Sequence, residues 1–269
     1  MRLEYKYLIP KERLGELRES LRPFVKMDEY AQSRSQKEYS VRSIYFDTMG
    51  FDDYMDKIAG LKMRNKIRIR GYNECNNESV VFLEVKRKFE NYISKNRSPL
   101  MYYNLNRIFQ SVDFDTFLIE KKNYLYARSD AAKFFYLLKI KNRSPVVLVV
   151  YEREAYFSKH DLTLRITIDK NLRSKALPKF DDLFKESILQ PAMFGHFILE
   201  IKFYNGFPGW LQNVLSKFEQ ERKALSKYTI SIDNHRDFNQ YITKKKLFVP
   251  SLLNGNSMDY KKELVKNAG

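Results

Sequence analysis

The sequence predicts an α+β protein: an antiparallel sheet closed on itself into a β-barrel tunnel, with helices packed outside. Three observations predict it. Segment after segment alternates charged with apolar residues at the two-residue period of a strand. Between them lie segments with apolar stripes at helical spacing. Finally, 49 Lys and Arg stand against 33 Asp and Glu among 269 residues, a formal net charge of +16. A surplus of that size calls for a polyanionic partner or a reason to tolerate self-repulsion.

The elements follow in order. Residues 2–8 put Arg2, Glu4 and Lys6 on one strand face and Leu3, Tyr5 and Tyr7 on the other. Residues 11–21 follow Pro10, which suits a first helical turn, and stop before Pro23. Leu14, Leu17 and Leu21 are that helix's apolar stripe. Residues 40–46, rich in β-branched and aromatic side chains, read as a strand, and residues 51–58 as a short helix. Gly60 marks a turn before the clean alternation of 66–70, and residues 71–77 are another turn. Residues 80–88 carry Glu84, Lys86 and Lys88 on one face. Residues 131–138 look helical, and residues 141–145 turn the chain into a strand over 146–157 with Tyr151 and Arg153 on a shared face. Residues 162–169 set Leu164, Ile166 and Ile168 against Thr163, Arg165, Thr167 and Asp169. Residues 197–203 set Ile198, Glu200 and Lys202 against Leu199 and Ile201. After a turn at 205–209, residues 208–218 form a helix with Trp210, Leu211, Val214 and Phe218 on one side. Residues 244–269 are polar, with few apolar anchors, and read as a loosely packed helix or a frayed tail.

Composition excludes several classes. Hydrophobic residues make up 43%, enough for a sizeable core. A single cysteine, Cys75, excludes an internal disulfide framework and fits a reducing compartment. His160, His196 and His235 are too far apart for a zinc motif. The start of the chain has no apolar signal region, and the longest strongly apolar run, 146–150, is far short of the ~20 residues that span a bilayer. The reading is a cytoplasmic protein without a transmembrane segment, whose basic surface leaves attachment to an acidic membrane or membrane partner open.

Counted together, the charges on one face of the strands carry the functional reading. They are Lys6, Arg68 and Arg70, Glu84 and Lys86, Arg153, Arg165, and Glu200 and Lys202. An open sheet would turn this face to water. A closed one encloses it in a polar lumen, and amphipathic helices are at hand to cover the apolar outside. Two like charges ~4 Å apart repel by about 1 kcal/mol in water and about 4 kcal/mol at an effective dielectric near 20. Such a lumen therefore needs carboxylates, water or a bound polyanion. A chain of phosphates offsets the repulsion, because each charge-assisted hydrogen bond contributes roughly 1.5–3 kcal/mol. Arginine's planar fork suits phosphate oxygens. Glu4, Glu84 and Glu200 add hard oxygen atoms of the kind Mg²⁺ or Mn²⁺ takes beside phosphates, with Glu4 and Glu84 equally able to orient lysines.

These residues fall in an ordered set: Arg2-x-Glu4-x-Lys6-Tyr7, Ser43-Ile44-Tyr45-Phe46-Asp47, Arg68-x-Arg70, Glu84-x-Lys86, Tyr151-x-Arg153, Leu164 to Asp169, Leu199-Glu200-Ile201-Lys202 and Ser226-Lys227-Tyr228. The set resembles the VTC domain, the polyphosphate polymerase domain of the triphosphate tunnel metalloenzyme or CYTH-like superfamily, in its free-standing bacterial type. The resemblance covers about residues 1–240 and leaves 241–269 as a polar extension, not a separate domain. It implies an eight-stranded antiparallel tunnel and a phosphotransferase that moves the γ-phosphate of ATP onto inorganic polyphosphate with Mn²⁺ or Mg²⁺. Lys6, Arg68, Arg70, Lys86, Arg153 and Arg165 are implied as phosphate ligands. Lys95, in Ser94-Lys95-x-Arg97 on the following strand, and Lys227 are implied as further ones, Tyr151 as a hydrogen-bond donor to phosphate, and Glu200 as the principal metal ligand. Arg2 stands where the wider superfamily's ExExK motif has its first glutamate, as in VTC members rather than the hydrolases.

Two other function classes share this pattern. One is a metal-dependent inorganic triphosphatase or RNA triphosphatase-like hydrolase, with water as acceptor. The other is a non-catalytic module for polyphosphate or another polyanion. Specific nucleic-acid recognition would place cations on an exposed helix or aromatics on an exposed sheet. Here the cations alternate through strands.

Overall fold

The computed structural model describes residues 2–90, 92–119, 122–204, 206–235 and 238. The chain runs β1 (Leu3–Pro10), α1 (Leu14–Leu21), β2 (Val25–Met27), α2 (Glu29–Gln32), β3 (Tyr39–Asp47) and α3 (Asp52–Ile58). Next come β4 (Met63–Tyr72), β5 (Val80–Phe89), β6 (Tyr92–Met101), α4 (Leu105–Ser111), α5 (Phe114–Phe117) and α6 (Ala127–Ile140). The last are β7 (Ser144–Ser158), β8 (Arg165–Ala176), β9 (Gln190–Pro191), β10 (His196–Phe203), α7 (Gly209–Ser216) and α8 (Lys227–Asp233). The expected tail, 244–269, lies outside the described residues.

All ten strands join one antiparallel sheet whose main path has the order β1-β10-β8-β7-β3-β4-β5-β6, with β2 pairing β7 and β9 pairing β8. The path holds the eight strands expected of the tunnel, but the sheet is not the closed barrel the sequence suggested. β1 and β6 are its two ends and do not pair with each other among the described residues. The physical reason is that both edges have other partners. Lys223 N donates to Lys6 O at 2.9 Å along β1, and Ile119 N donates to Pro99 O at 2.9 Å along β6. A loop thus lies against each edge at the position where a partner strand would bond. The curled sheet is bridged instead by side chains, with Lys86 Nζ of β5 lying 3.5 Å from Glu4 Oε2 of β1.

The outer face is apolar, as the alternation requires. Ile67, Ile69, Leu83 and Val85 of β4 and β5 bury against Ile108 of α4 and Phe134 and Leu138 of α6. Ile166, Ile168, Leu199 and Ile201 of β8 and β10 bury against Leu17 and Leu21 of α1 and Leu211 and Val214 of α7. The inner face is charged over only part of its length. Along β3 and β7 it is built from Val41, Tyr45, Val147 and Val149, packed with Tyr54 of α3 and Tyr228 and Ile232 of α8. One end of the bore is thus filled by helices, and the wet part is the remainder.

Gly71 marks a close approach in the outer wall. A Cβ there would stand 2.7 Å from Phe184 Cζ and 3.4 Å from Leu183 Cδ2. Gly71→Ala is therefore expected to destabilise the fold by about 1–3 kcal/mol, the usual cost of overpacking. Urea unfolding measures it, and an unchanged midpoint would show that Phe184 swings aside freely.

Candidate functional site

A cavity of about 1420 Å³ opens along the charged inner face, lined by Glu4, Arg68, Arg70, Lys86, Lys95, Arg153 and Arg165 together with Arg2, Arg97 and Lys202. The ladders explain the convergence. Lys6 faces Glu200 and Glu4 faces Lys202 between β1 and β10. Arg165 lies opposite Lys202 between β8 and β10. Arg68 lies opposite Glu84, and Lys66 opposite Lys86, between β4 and β5. Lys86 pairs Lys95, and Glu84 pairs Arg97, between β5 and β6. Residues opposite one another point to the same face, so the period-two pattern becomes a ring of charge.

Three carboxylate centres organise that ring. At the first, Lys6 Nζ lies 2.8 Å from Glu4 Oε1 and 3.7 Å from Glu200 Oε2, and donates to Leu225 O at 3.1 Å. Lys202 pairs with Glu200 and lies 3.9 Å from Glu4 Oε2. Burial and the neighbouring Glu200 push the Glu4 carboxyl up, but Lys6, Lys86 and Lys202 outweigh them and hold it at about 2. Burial also works against an ionised Glu200, yet Lys202, Lys6, Lys227 and Arg153 keep it well below the usual carboxylate range. Lys202 is held down to about 8 by burial, against the pull of Glu200 and Glu4.

At the second centre, Glu84 is fully buried. Its Oε2 accepts from Arg68 Nε at 2.8 Å and lies 3.9 Å from Arg70 Nε. Lys95 Nζ and Arg97 Nε each lie 2.8 Å from Oε1 as ion pairs, off the hydrogen-bonding direction. Arg68 also donates to the Tyr45 hydroxyl at 2.9 Å, and Arg70 to Ser43 Oγ at 3.1 Å. Burial raises the Glu84 carboxyl, and the four cations drive it well below its ordinary value.

At the third, Arg153 grips Asp169 with both prongs of its fork, Nε to Oδ1 at 2.6 Å and Nη2 to Oδ2 at 2.8 Å. Lys227, at the start of α8, lies 2.5 Å from Asp169 Oδ2. Tyr151 is buried beneath them, its ring centroid 5.2 Å from the Arg153 guanidinium carbon and 4.7 Å from Lys227 Nζ. Arg165 stands at the rim, its Nη2 3.3 Å from Asp28 Oδ2.

Every residue singled out from the sequence therefore belongs to one inner wall. Lys6, Tyr151, Lys227, Glu84 and Glu200 sit within that wall rather than on the cavity surface. Sequence reasoning counted Lys202 among the charges of this face without giving it a role, and missed Asp169, Arg97, Lys66 and Asp28 as members of the site. Asp169, Arg97 and Lys66 had a signal, since each lies two or four residues from a chosen residue on the same strand face. Asp28 had none. Lys66 carries a cost: burial, then Lys6, Lys86 and Arg68, push its amine well below the usual lysine range, and it donates to Ser226 Oγ at 2.8 Å.

Cations in the wall outnumber Glu4, Asp28, Glu84, Asp169 and Glu200 by more than two to one, and these carboxylates are already paired. An acid limb of stability follows. Glu4, Glu84, Asp169 and Glu200 all bind protons less readily folded than unfolded. Below about pH 4.5 the unfolded chain takes up more protons, so stability falls as pH drops through the depressed folded values. Urea midpoints between pH 7 and pH 3 are expected to fall steeply below about pH 4.5. A flat profile would show these carboxylates to be unpaired.

Among the described residues, no group of three or more His, Cys, Asp or Glu stands together as a self-sufficient metal cage. Glu4 and Glu200 nevertheless fit a hard divalent ion, being ionised oxygen donors on adjacent strands beside the cavity. No helix among the described residues is long and apolar enough to cross a membrane.

Comparison with known proteins agrees with the ordered motifs. The model of the VTC domain matches residues 1–235. A search of the curated proteins found no match. Among solved structures, the PH1819 protein from Pyrococcus horikoshii OT3 is 16% identical with a TM-score of 0.44, covering 87% of this chain and 100% of its own. HpAC1 from Hippeastrum, whose structure is described as revealing a dominant triphosphatase activity, is 13% identical with a TM-score of 0.46, covering 87% of this chain and 96% of its own. With its motifs in order on one inner wall and a family match over most of its length, the chain belongs to the VTC-domain family.

Proposed function

We propose that this chain is a phosphotransferase that moves the γ-phosphate of ATP onto the end of an inorganic polyphosphate chain within the cationic bore. One observation carries the reading: guanidinium and ammonium groups from several strands converge on one cavity of about 1420 Å³ beside two ionised carboxylates. No single small anion needs that many cations. A row of phosphates does.

The roles follow from position. Arg68, Arg70, Arg153 and Arg165 hold the triphosphate, their forks fixed in advance by Glu84, Ser43, Asp169 and Asp28. Lys86 and Lys95 carry charge along the chain, and Lys6 and Lys227 support the wall from behind. Tyr151 serves as a platform for Arg153 and Lys227, and its hydroxyl is the proposed donor to phosphate. Glu200, with Glu4, would hold Mn²⁺ or Mg²⁺, which when bound neutralises charge on the transferring phosphoryl group. Glu84 is better suited to orienting its four cations than to binding metal.

Phosphoryl transfer passes through a loose transition state, so positioning and charge neutralisation carry most of its catalysis. A phosphate acceptor is already ionised near neutral pH, and no strong base is required of the wall. We assign this work to residues 1–240, acting in the cytoplasm where ATP is available.

Incubation with ATP and Mn²⁺, followed by a gel for long phosphate chains and an orthophosphate assay, tests the proposal. Long chains are the expected product. Orthophosphate alone would make the protein a hydrolase, and neither product would make it a polyanion-binding module.

A further inference from the structure

A second surface lies at the end of the molecule where β4 begins and β5 ends, the opposite end of these strands from Tyr72 and Val80. Met63 pairs with Phe89 in the β4–β5 ladder, and Phe89 pairs with Tyr92 across the β5–β6 turn. The turn after α3 is tied to this tip by Glu90 N donating to Lys62 O at 3.0 Å. The side chains there are apolar and outside: Met63 is 62% exposed, Phe89 54%, Ile58 50% and Leu61 48%, while Tyr92, also exposed, lines the cavity as well. Single exposed apolar residues are ordinary, but a contiguous row of them marks an interaction site.

Cations flank the row. Lys62 precedes Met63 and Arg87 shares the face of Phe89, while Arg64 and Lys88 pair on the opposite, charged face, and Glu90 is paired with Lys62 at 3.4 Å. Leu61, Lys62, Arg64, Lys88 and Glu90 also line a shallow depression of about 310 Å³. Projecting apolar tips flanked by cations match one kind of partner, a soft surface that is apolar below and anionic above. A second copy of this face would bring the same cations together, which repels. A nucleic acid or a free phosphate chain would engage the cations and leave the apolar row in water.

We propose that this end of the molecule docks on an anionic phospholipid surface. Leu61, Met63 and Phe89 enter the headgroup layer, while Lys62 and Arg87 beside them meet lipid phosphates. The surface stands apart from the phosphoryl chemistry, and its failure would leave the proposed activity untouched.

Flotation of the full chain with phosphatidylcholine vesicles, with and without one-third phosphatidylglycerol, tests the docking. The protein is expected to float with the anionic vesicles alone. Lys62→Ala/Arg87→Ala removes two surface cations and is expected to lower partitioning by about 30-fold. Met63→Ser/Phe89→Ser is expected to lower it by at least about tenfold. Both variants keep their melting temperature and their turnover of ATP in solution, since none of the four residues faces the bore. Three results would each overturn the proposal: no flotation with anionic vesicles, flotation unchanged in Met63→Ser/Phe89→Ser, or a wild-type dimer that the same substitutions dissolve. If soluble polyphosphate binds this face as tightly in Met63→Ser/Phe89→Ser as in the wild type and strips the protein from vesicles, the cations serve a phosphate chain and the lipid assignment fails.

Discussion

Glu200→Gln is expected to lose between a hundredfold and a thousandfold of ATP-dependent turnover at saturating Mn²⁺, the usual cost of removing one preorganised electrostatic group from a transition state. The substitution keeps the side chain's volume and removes its charge. Lys6 retains Glu4 at 2.8 Å and the Leu225 carbonyl at 3.1 Å, so the wall keeps its shape. Lys202, paired with Glu200 in the native protein, keeps only the more distant Glu4 at 3.9 Å. The variant is therefore expected to fold but to melt below the wild type, because Lys202 and Lys6 lose an ionised partner, and to fail in turnover by far more than that loss of stability explains. Full activity in folded Glu200→Gln protein would remove this residue from the chemistry.

Glu84→Gln is expected to act the other way round, on the fold first. Glu84 is the one carboxylate among Arg68, Arg70, Lys95 and Arg97, and its removal leaves four cations facing one another. Breaking a buried ion pair by deleting one partner costs about 3–5 kcal/mol. Because Lys95 is 43% exposed and Arg97 24%, the lower figure is expected. For a chain of this length, ~3 kcal/mol corresponds to a melting temperature lower by roughly 6–12 °C. The sign with pH is fixed by the carboxyl's depressed folded value. Its contribution is present above the unfolded value near 4.3 and lost as pH falls through the lower folded one, so the gap between variant and wild type should close in acid. Added tripolyphosphate should raise the melting temperature of Glu84→Gln more than that of the wild type, since the anion replaces the missing charge. An equal rise in both would mean that the four cations do not face the ligand.

The parts legible in the sequence were those written at a period of two. Arg68-x-Arg70, Glu84-x-Lys86 and Glu200-x-Lys202 gave the inner face, because neighbouring strands add such faces together without further information. The filled end of the bore was not legible. Val147 and Val149 lie in a uniformly apolar run, where inside and outside have the same composition and alternation gives no signal. Helix α8 is short, and its apolar residues Ile230 and Ile232 are too few to announce a buried face. The open edges were hidden because their partners are loops: no local pattern ties Lys223 to Lys6 or Ile119 to Pro99. Asp28 meets Arg165 across 137 residues of chain, and only the folded sheet makes them neighbours.

The claim on which the rest depends is that the inward cations form one continuous seat for a chain of phosphates. Calorimetric titration of the protein with tripolyphosphate, without metal, measures that seat directly. Arg68→Ala/Arg153→Ala removes two forks from different strands, and at roughly 1.5–3 kcal/mol per charge-assisted contact it is expected to weaken binding by at least about a hundredfold. Lys26→Ala/Lys139→Ala removes the same charge from the exposed outer surface and is expected to change affinity by less than about threefold. Equal losses from the two pairs would show the anion held by net charge alone and would contradict the account.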